Sequence, residues 1–198
     1  MNYLAHAYLS FSNPPILVGN MISDYVKGKT QYNYPKNIQT GIQLHRAIDA
    51  FTDVHEATHN IKKIFAPTYR LYSGAFADVC YDYFLANDKS IFATQHELME
   101  FTQKTYAILK ENATHFPDKF GIIFPYMVER NWLYNYQFNE GMQKSFAGLA
   151  RRAKYIEETE TAFELFLTNK NTIQQEYNTY FEELKSFSSI KLNELLSI

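Results

Sequence analysis

His45, Asp49 and Asp53 follow one another at intervals of four residues within Leu44-His45-Arg46-Ala47-Ile48-Asp49-Ala50-Phe51-Thr52-Asp53. In a helix each step of four turns only about 40° around the axis, so the three side chains share one broad face. Imidazole nitrogen and carboxylate oxygen converging on one point is what a divalent cation requires. A second segment, Asp78-Val79-Cys80-Tyr81-Asp82, repeats the four-residue spacing with two carboxylates and would close the same site from a facing helix. An exposed ion pair or a hydrogen-bonded core histidine gives the same His–Asp spacing. What favours a metal is the company these residues keep: Ile42, Leu44 and Ile48 around the first pair, Ala77, Val79, Tyr81 and Phe84 around the second. Buried carboxylates cost several kcal/mol each unless a cation or donor compensates them. A mostly oxygen donor set with one or two imidazoles suits Mn²⁺ or Mg²⁺, with Fe²⁺ and Zn²⁺ as alternatives. Such an ion lowers the pKa of a bound water and neutralises a phosphoryl oxygen, so hydrolysis of a phosphate ester is the reaction most in keeping with the pattern. Asp24 and His6 join the site only if the first two helices fold across it.

The elements that must position these groups are helices, and strand-like alternation is weak throughout. A first helix is expected from about Tyr3 to Phe11, stopping at Ser12-Asn13-Pro14-Pro15. A second begins near Pro15 and runs towards Gly28, which can end it in a left-handed cap. Pro35 opens a long helix that carries His45, with Gly41 permitting close approach of a neighbour. Ser73 to Ala86 forms the helix bearing Asp78 and Asp82. Leu98, Phe101, Ile108 and Leu109 fit another amphipathic helix ending before Pro117, and Ile173, Tyr177, Tyr180, Phe181, Leu184 and Phe187 repeat the rhythm near the carboxyl end. The expected class is an all-α, single-domain helical bundle spanning residues 1–198.

Composition narrows the function further. A formal charge of -2 over 198 residues argues against a general nucleic-acid binder, which needs clustered cations. The lone Cys80 excludes an intramolecular disulfide and a cysteine zinc cluster, and between two aspartates it reads as a packed thiol rather than a nucleophile. His55 and His59 lie in a polar segment read as a helix end or solvated loop, and His96 and His115 as surface residues. No secretory start or long apolar run is evident, so no membrane partner and a cytoplasmic location are expected. The 16 Tyr and 16 Phe imply a bulky aromatic core, with a ligand groove as the sharper alternative.

Beyond these patterns, the chain resembles the acyl carrier protein phosphodiesterases, regarded as divergent HD-domain-like metal phosphohydrolases. The likeness runs through Met1-Asn2-Tyr3-Leu4-Ala5-His6-Ala7, Gly19-Asn20, Asp24-Tyr25-Val26-Lys27-Gly28, Gly41-Ile42, Leu44-His45-Arg46, Ile48-Asp49, Phe51-Thr52-Asp53, His55, Asp78 with Asp82, Phe84-Leu85-Ala86 and Gly148-Leu149-Ala150-Arg151-Arg152. It implies an HD-like bundle that hydrolyses the phosphodiester joining 4'-phosphopantetheine to a serine of holo-acyl carrier protein, returning the apo form with a Mn²⁺-type metal dependence. By position, Asp24, His45, Asp49, Asp78 and Asp82 match the family's polar residues, with His6 a further candidate. Where the family commonly reads Asp-His-Phe-Leu, this chain has Asp82-Tyr83-Phe84-Leu85.

On this reading an unliganded carboxylate, Asp53 among the candidates, takes the proton of the attacking water, while Arg46 and Arg70 offset phosphate charge. Carrier proteins of this kind are acidic, so Arg151, Arg152 and Lys154, the densest basic group, are the expected docking residues. Two alternatives stand beside it: a metal phosphohydrolase acting on a nucleotide or other small phosphoester, and a catalytically impaired domain that binds phosphopantetheine or the carrier.

Overall fold

In the computed structural model, residues 2–197 are described, and Met1 and Ile198 lie outside them. Eleven α-helices are found among the described residues, and no strand. They are α1 (Tyr3–Tyr8), α2 (Pro14–Ile22), α3 (Lys36–Val54), α4 (Glu56–Tyr69), α5 (Ser73–Asn87), α6 (Gln95–Glu111), α7 (Asp118–Glu129), α8 (Trp132–Asn135), α9 (Asn139–Ala150), α10 (Glu160–Thr168) and α11 (Lys170–Leu196). The all-α expectation holds. The first helix is shorter than its apolar pattern suggests: it gives way at Leu9, and Phe11 and Ser12 take positive φ of 50° and 57° to turn the chain into α2. Asn13 then caps α2 through its side chain to Ile16 N–H, with Pro14 filling a first-turn position that needs no donor. Gly28 does adopt positive φ, 51°, but it begins a 3₁₀ turn (Gly28–Asn33) instead of closing α2, which ends at Ile22. Asp24 therefore sits on a separate 3₁₀ turn, Ser23–Tyr25. His55 ends one helix and begins the next: its ring accepts a hydrogen bond from Ala57 N–H, and His59 lies within α4.

Two features of the packing fix the site. The first is the crossing of α2 and α3. A Cβ on Gly19 would collide with the Ile38 carbonyl oxygen, and one on Gly41 with that of Ile16, so the helices meet backbone to backbone. That contact brings the face of α3 one turn beyond Gly41, which bears His45, against the C-terminal turns of α2. The second is the anchoring of α1. A six-residue helix is marginal alone, and its first-turn N–H groups have no partners of their own. Asn2 Oδ1 accepts from Tyr3 N–H at 3.0 Å, and the carboxylate of Asp82, reaching over from α5, accepts from Leu4 N–H at 2.8 Å and Ala5 N–H at 3.0 Å. Around these contacts runs an aromatic core in which Tyr81 and Tyr180 stack and donate or accept at Thr58 and Thr52 respectively.

Candidate metal centre

Each imidazole is placed by a different device, and both devices involve Asn20. α2 ends at Ile22, so the Asn20 carbonyl falls among the terminal acceptors that the helix itself leaves open. His45, on α3, fills that gap: its Nδ1 lies 2.8 Å from the Asn20 oxygen and donates to it. The Asn20 side chain, fully buried, donates at 2.9 Å to the carbonyl of His6 and at 3.2 Å to Ser10 Oγ, which itself donates to the same carbonyl. The two rings end up stacked, with centroids 3.9 Å apart and 15° between planes. With Nδ1 committed to a carbonyl, Nε2 of His45 is the nitrogen left to face inward, the second-layer arrangement that orients metal-ligating histidines.

The carboxylates meet these nitrogens. Asp49 lies one turn along α3 from His45; its Oδ2 is 3.1 Å from His45 Nε2 and its Oδ1 3.3 Å from His6 Nε2. Asp24 Oδ1 approaches His45 Nε2 from the 3₁₀ turn at 3.3 Å. His6, His45 and Asp49 thus offer one ligand atom each, all within 4.8 Å of one another, a grouping that can hold a metal ion. The contact of His6 with Asp49 is within ion-pair distance but outside hydrogen-bond alignment, so among the described residues neither ring nitrogen of this nearly inaccessible imidazole has a hydrogen-bond partner. A cation at Nε2 is the compensation such a ring calls for, and the N, N, O donor set fits a borderline divalent ion.

Electrostatics agree with a site organised around positive charge. Burial, reinforced by the neighbouring His45, lowers His6 to about 4 and keeps it neutral. Burial would also lower His45, but the Asp24 and Asp49 carboxylates outweigh it and hold the ring up at about 9. Asp49 resists burial because both imidazoles hold its carboxyl well below the usual range, and the His45 hydrogen bond does the same for Asp24.

The remaining candidates are dispersed over several elements. Asp78, half-buried on α5, is within electrostatic reach of α3: burial first, and then the charges of Asp49 and Asp53, raise its carboxyl. Asp82 turns the other way, into the two N–H groups of α1, where burial pushes it up to about 7. Asp53 is exposed on the last turn of α3. Arg46 Nη1 donates to Gln31 Oε1 at 2.9 Å and Nη2 to the Val26 carbonyl at 3.0 Å, pinning the segment that carries Asp24. Arg70 is exposed where α4 breaks towards α5 with φ of 47°. Arg151 and Arg152 line a cleft of about 980 Å³ between α7, α8, α9 and the start of α1, whereas exposed Lys154 lies over the Tyr155 ring at 5.1 Å. Cys80 is buried, and burial raises its thiol, as expected of a packed residue. Tyr83 faces α10 and α11: its hydroxyl accepts from Lys170 Nζ at 2.5 Å and its ring meets Phe166 edge-on at 5.0 Å. Sequence reasoning overlooked Asn20 as a positioning residue; its place two residues before the end of a helix that abuts His45 was the available signal.

A family model described as acyl carrier protein phosphodiesterase matches residues 1–184. Among curated proteins, the acyl carrier protein phosphodiesterase of Yersinia pestis is 30% identical over 152 residues, covering 77% of this chain and 79% of its own. That of Photorhabdus laumondii is 27% identical over 77% of both chains, and that of Klebsiella pneumoniae strain 342 is 26% identical over 96% of this chain and 99% of its own. No solved structure matches. Among the described residues, no helix is long and apolar enough to cross a membrane.

Proposed function

Because the chain belongs to the acyl carrier protein phosphodiesterase family, we propose that it hydrolyses the phosphodiester between 4'-phosphopantetheine and a serine of holo-acyl carrier protein, in the cytoplasm and with Mn²⁺ as the preferred ion. The observation that carries this reading is the convergence of His6, His45 and Asp49 within 4.8 Å. A cleft of about 980 Å³, lined by Tyr3 on the helix of His6 and by Tyr25, the neighbour of Asp24, is large enough for the prosthetic group. His6 Nε2, His45 Nε2 and an Asp49 oxygen would hold the ion, with Asp24 beside His45 as a further oxygen donor. When bound, the ion supplies a more acidic water and neutralises phosphoryl charge.

The chain's own residues do the rest. Asn20 fixes the His45 ring through its carbonyl and the His6 backbone through its amide, which limits the reorganisation needed when substrate enters. Of the carboxylates outside the triad, Asp78 is half-buried and within reach of the Asp49 charge while Asp53 is exposed, so Asp78 is assigned the proton of the attacking water. The water oxygen joins phosphorus, the bond from phosphorus to the serine oxygen breaks, and that oxygen takes up the proton that Asp78 received, which restores the carboxylate. The products are apo-carrier protein and 4'-phosphopantetheine. Tyr83 faces Phe166 and Lys170, away from the triad, so a tyrosine there is compatible with activity. Arg46 acts by holding the Asp24 segment.

The test is to incubate Mn²⁺-loaded protein with holo-carrier protein and follow the loss of the phosphopantetheine moiety by intact mass. Asp49→Ala is expected to abolish turnover and Asp78→Ala to slow it at least a hundredfold. Unchanged turnover in both would overturn the site, and no release with any common divalent ion would overturn the reaction.

A further inference from the structure

The cleft between α7, α8, α9 and the start of α1 has an uneven charge. Lys119, Arg130, Lys144, Arg151 and Arg152 all line it, and no Asp or Glu does, although the chain as a whole carries -2. Between the cations lies an apolar floor of Ile122, Ile123, half-buried Trp132 and buried Tyr136. One end is built from segments that also carry residues of the metal centre, although no triad residue lines it. Tyr25 follows Asp24 directly and shares a 2.7 Å hydroxyl–hydroxyl hydrogen bond with Tyr3, which opens the helix carrying His6; Val79 follows Asp78. Tyr3 lines the cleft and is within electrostatic reach of both Asp24 and Arg152.

A cavity of about 980 Å³ falls within the range of small-molecule pockets. Its five cations around an apolar lining suit a thin, partly apolar chain with a phosphate at its head. Taking the reaction of the previous section as given, we infer that this cleft is the subsite for the pantetheine arm: the phosphate lies at the Tyr3–Tyr25 end, the amide-linked arm runs over Trp132 and Tyr136, and the cations hold the dianionic product after cleavage. Lys144, paired with Glu140 at 2.6 Å on the rim, and Arg130, 5.8 Å over the Tyr126 ring, are held in place before ligand arrives. The body of the carrier then stays outside the cleft, and released 4'-phosphopantetheine is an inhibitor competitive with holo-carrier.

Trp132 is the chain's single tryptophan, so its emission reports occupancy of the cleft. Gly148 on α9 lines the cleft, and a Cβ there meets only the Arg151 guanidinium at an ordinary 3.7 Å, so Gly148→Phe fills the cleft without straining the helix. Free 4'-phosphopantetheine titrated into metal-free protein is expected to change Trp132 emission saturably. Affinity should fall at least tenfold in Gly148→Phe and in Lys144→Glu, with each variant keeping the wild-type melting temperature. Apo-carrier protein, which lacks the arm, should bind wild type and Gly148→Phe within twofold of each other.

Absence of an emission change and of heat in calorimetry, or equal affinity in the filled cleft, overturns the assignment, as does a tenfold loss of apo-carrier binding in Gly148→Phe, which would give the cleft to the carrier's surface. Should Gly148→Phe alone unfold, Lys144→Glu decides. Because the titration needs no turnover, the cleft can stand if holo-carrier hydrolysis fails, and hydrolysis can stand if the cleft fails.

Discussion

Replacing Asp82 by alanine should unfold α1 without touching the ligand atoms of the metal centre. The Asp82 carboxylate is wholly inaccessible and accepts the N–H groups of Leu4 and Ala5. Removing it strands two buried donors at about 1–3 kcal/mol each, less the relief of no longer burying an acid, for a net loss of roughly 2–4 kcal/mol. Asp82→Asn keeps one acceptor and turns an NH₂ on the other N–H, so about 1–2 kcal/mol is expected. The measurement is urea unfolding followed by circular dichroism in the presence of chelator, with metal titration by calorimetry on the folded Asp82→Asn protein. The pH dependence is diagnostic as well. Burial raises Asp82 to about 7 in the fold, against about 3.9 unfolded. The folded state therefore holds the extra proton, and this residue's contribution is full below about pH 4, declines as pH rises to about 7 by at most ~1.4 kcal/mol per unit, and is flat beyond. His6, lowered to about 4, slopes the opposite way between about 4 and 6.5, so the difference curve between wild type and Asp82→Asn is the quantity to read. An Asp82→Asn protein with unaltered unfolding midpoint that has lost its metal site would refute the reasoning.

Four further outcomes follow from the same geometry. Asn20→Ala should cost about 1–3 kcal/mol in unfolding free energy by removing the buried donor to the His6 carbonyl, and should weaken metal binding by about tenfold, read by competition with a chelating dye. Gly41→Ala should lower the melting temperature by more than 5 °C, since its methyl meets the Ile16 carbonyl and must part α2 from α3. Saturating Mn²⁺ at about 100 times its Kd should raise wild-type stability by about 2.7 kcal/mol and leave Asp49→Ala unchanged in a thermal scan. Tyr83→Phe should lose the Lys170 contact but keep metal stoichiometry and turnover within threefold, measured by calorimetry and intact mass.

How much of this was legible in the sequence depends on whether a contact leaves a trace in side-chain spacing. His45 and Asp49 did, because a helical turn brings residues four apart onto one face, and the structure has them 3.1 Å apart. Gly41 did, as a missing side chain on the buried face of a long helix, although its counterpart Gly19 looked like any other glycine. The two α5 aspartates share the same spacing as the α3 pair, yet Asp82 is taken up by main-chain N–H groups 78 and 77 residues away, and N–H groups are invisible in a string of letters. Asp24 was expected in or near the end of a helix; Gly28 did not close α2, and the Asp24 carboxylate instead arrives from a separate turn fixed by Arg46. Arg151 and Arg152 stood out as a basic group, but the rest of the basic cleft was beyond reach because Lys119, Arg130 and Lys144 join them only through the packing of α7, α8 and α9.

The acceptor that sets the orientation of His45 is the Asn20 carbonyl, a main-chain atom. Every codon encodes that oxygen, so no missense change at position 20 can delete it; a substitution there removes only the amide that steadies His6. One imidazole is thereby insulated from mutation while its stacked neighbour is not, and drift in this lineage should erode the His6 side of the centre first.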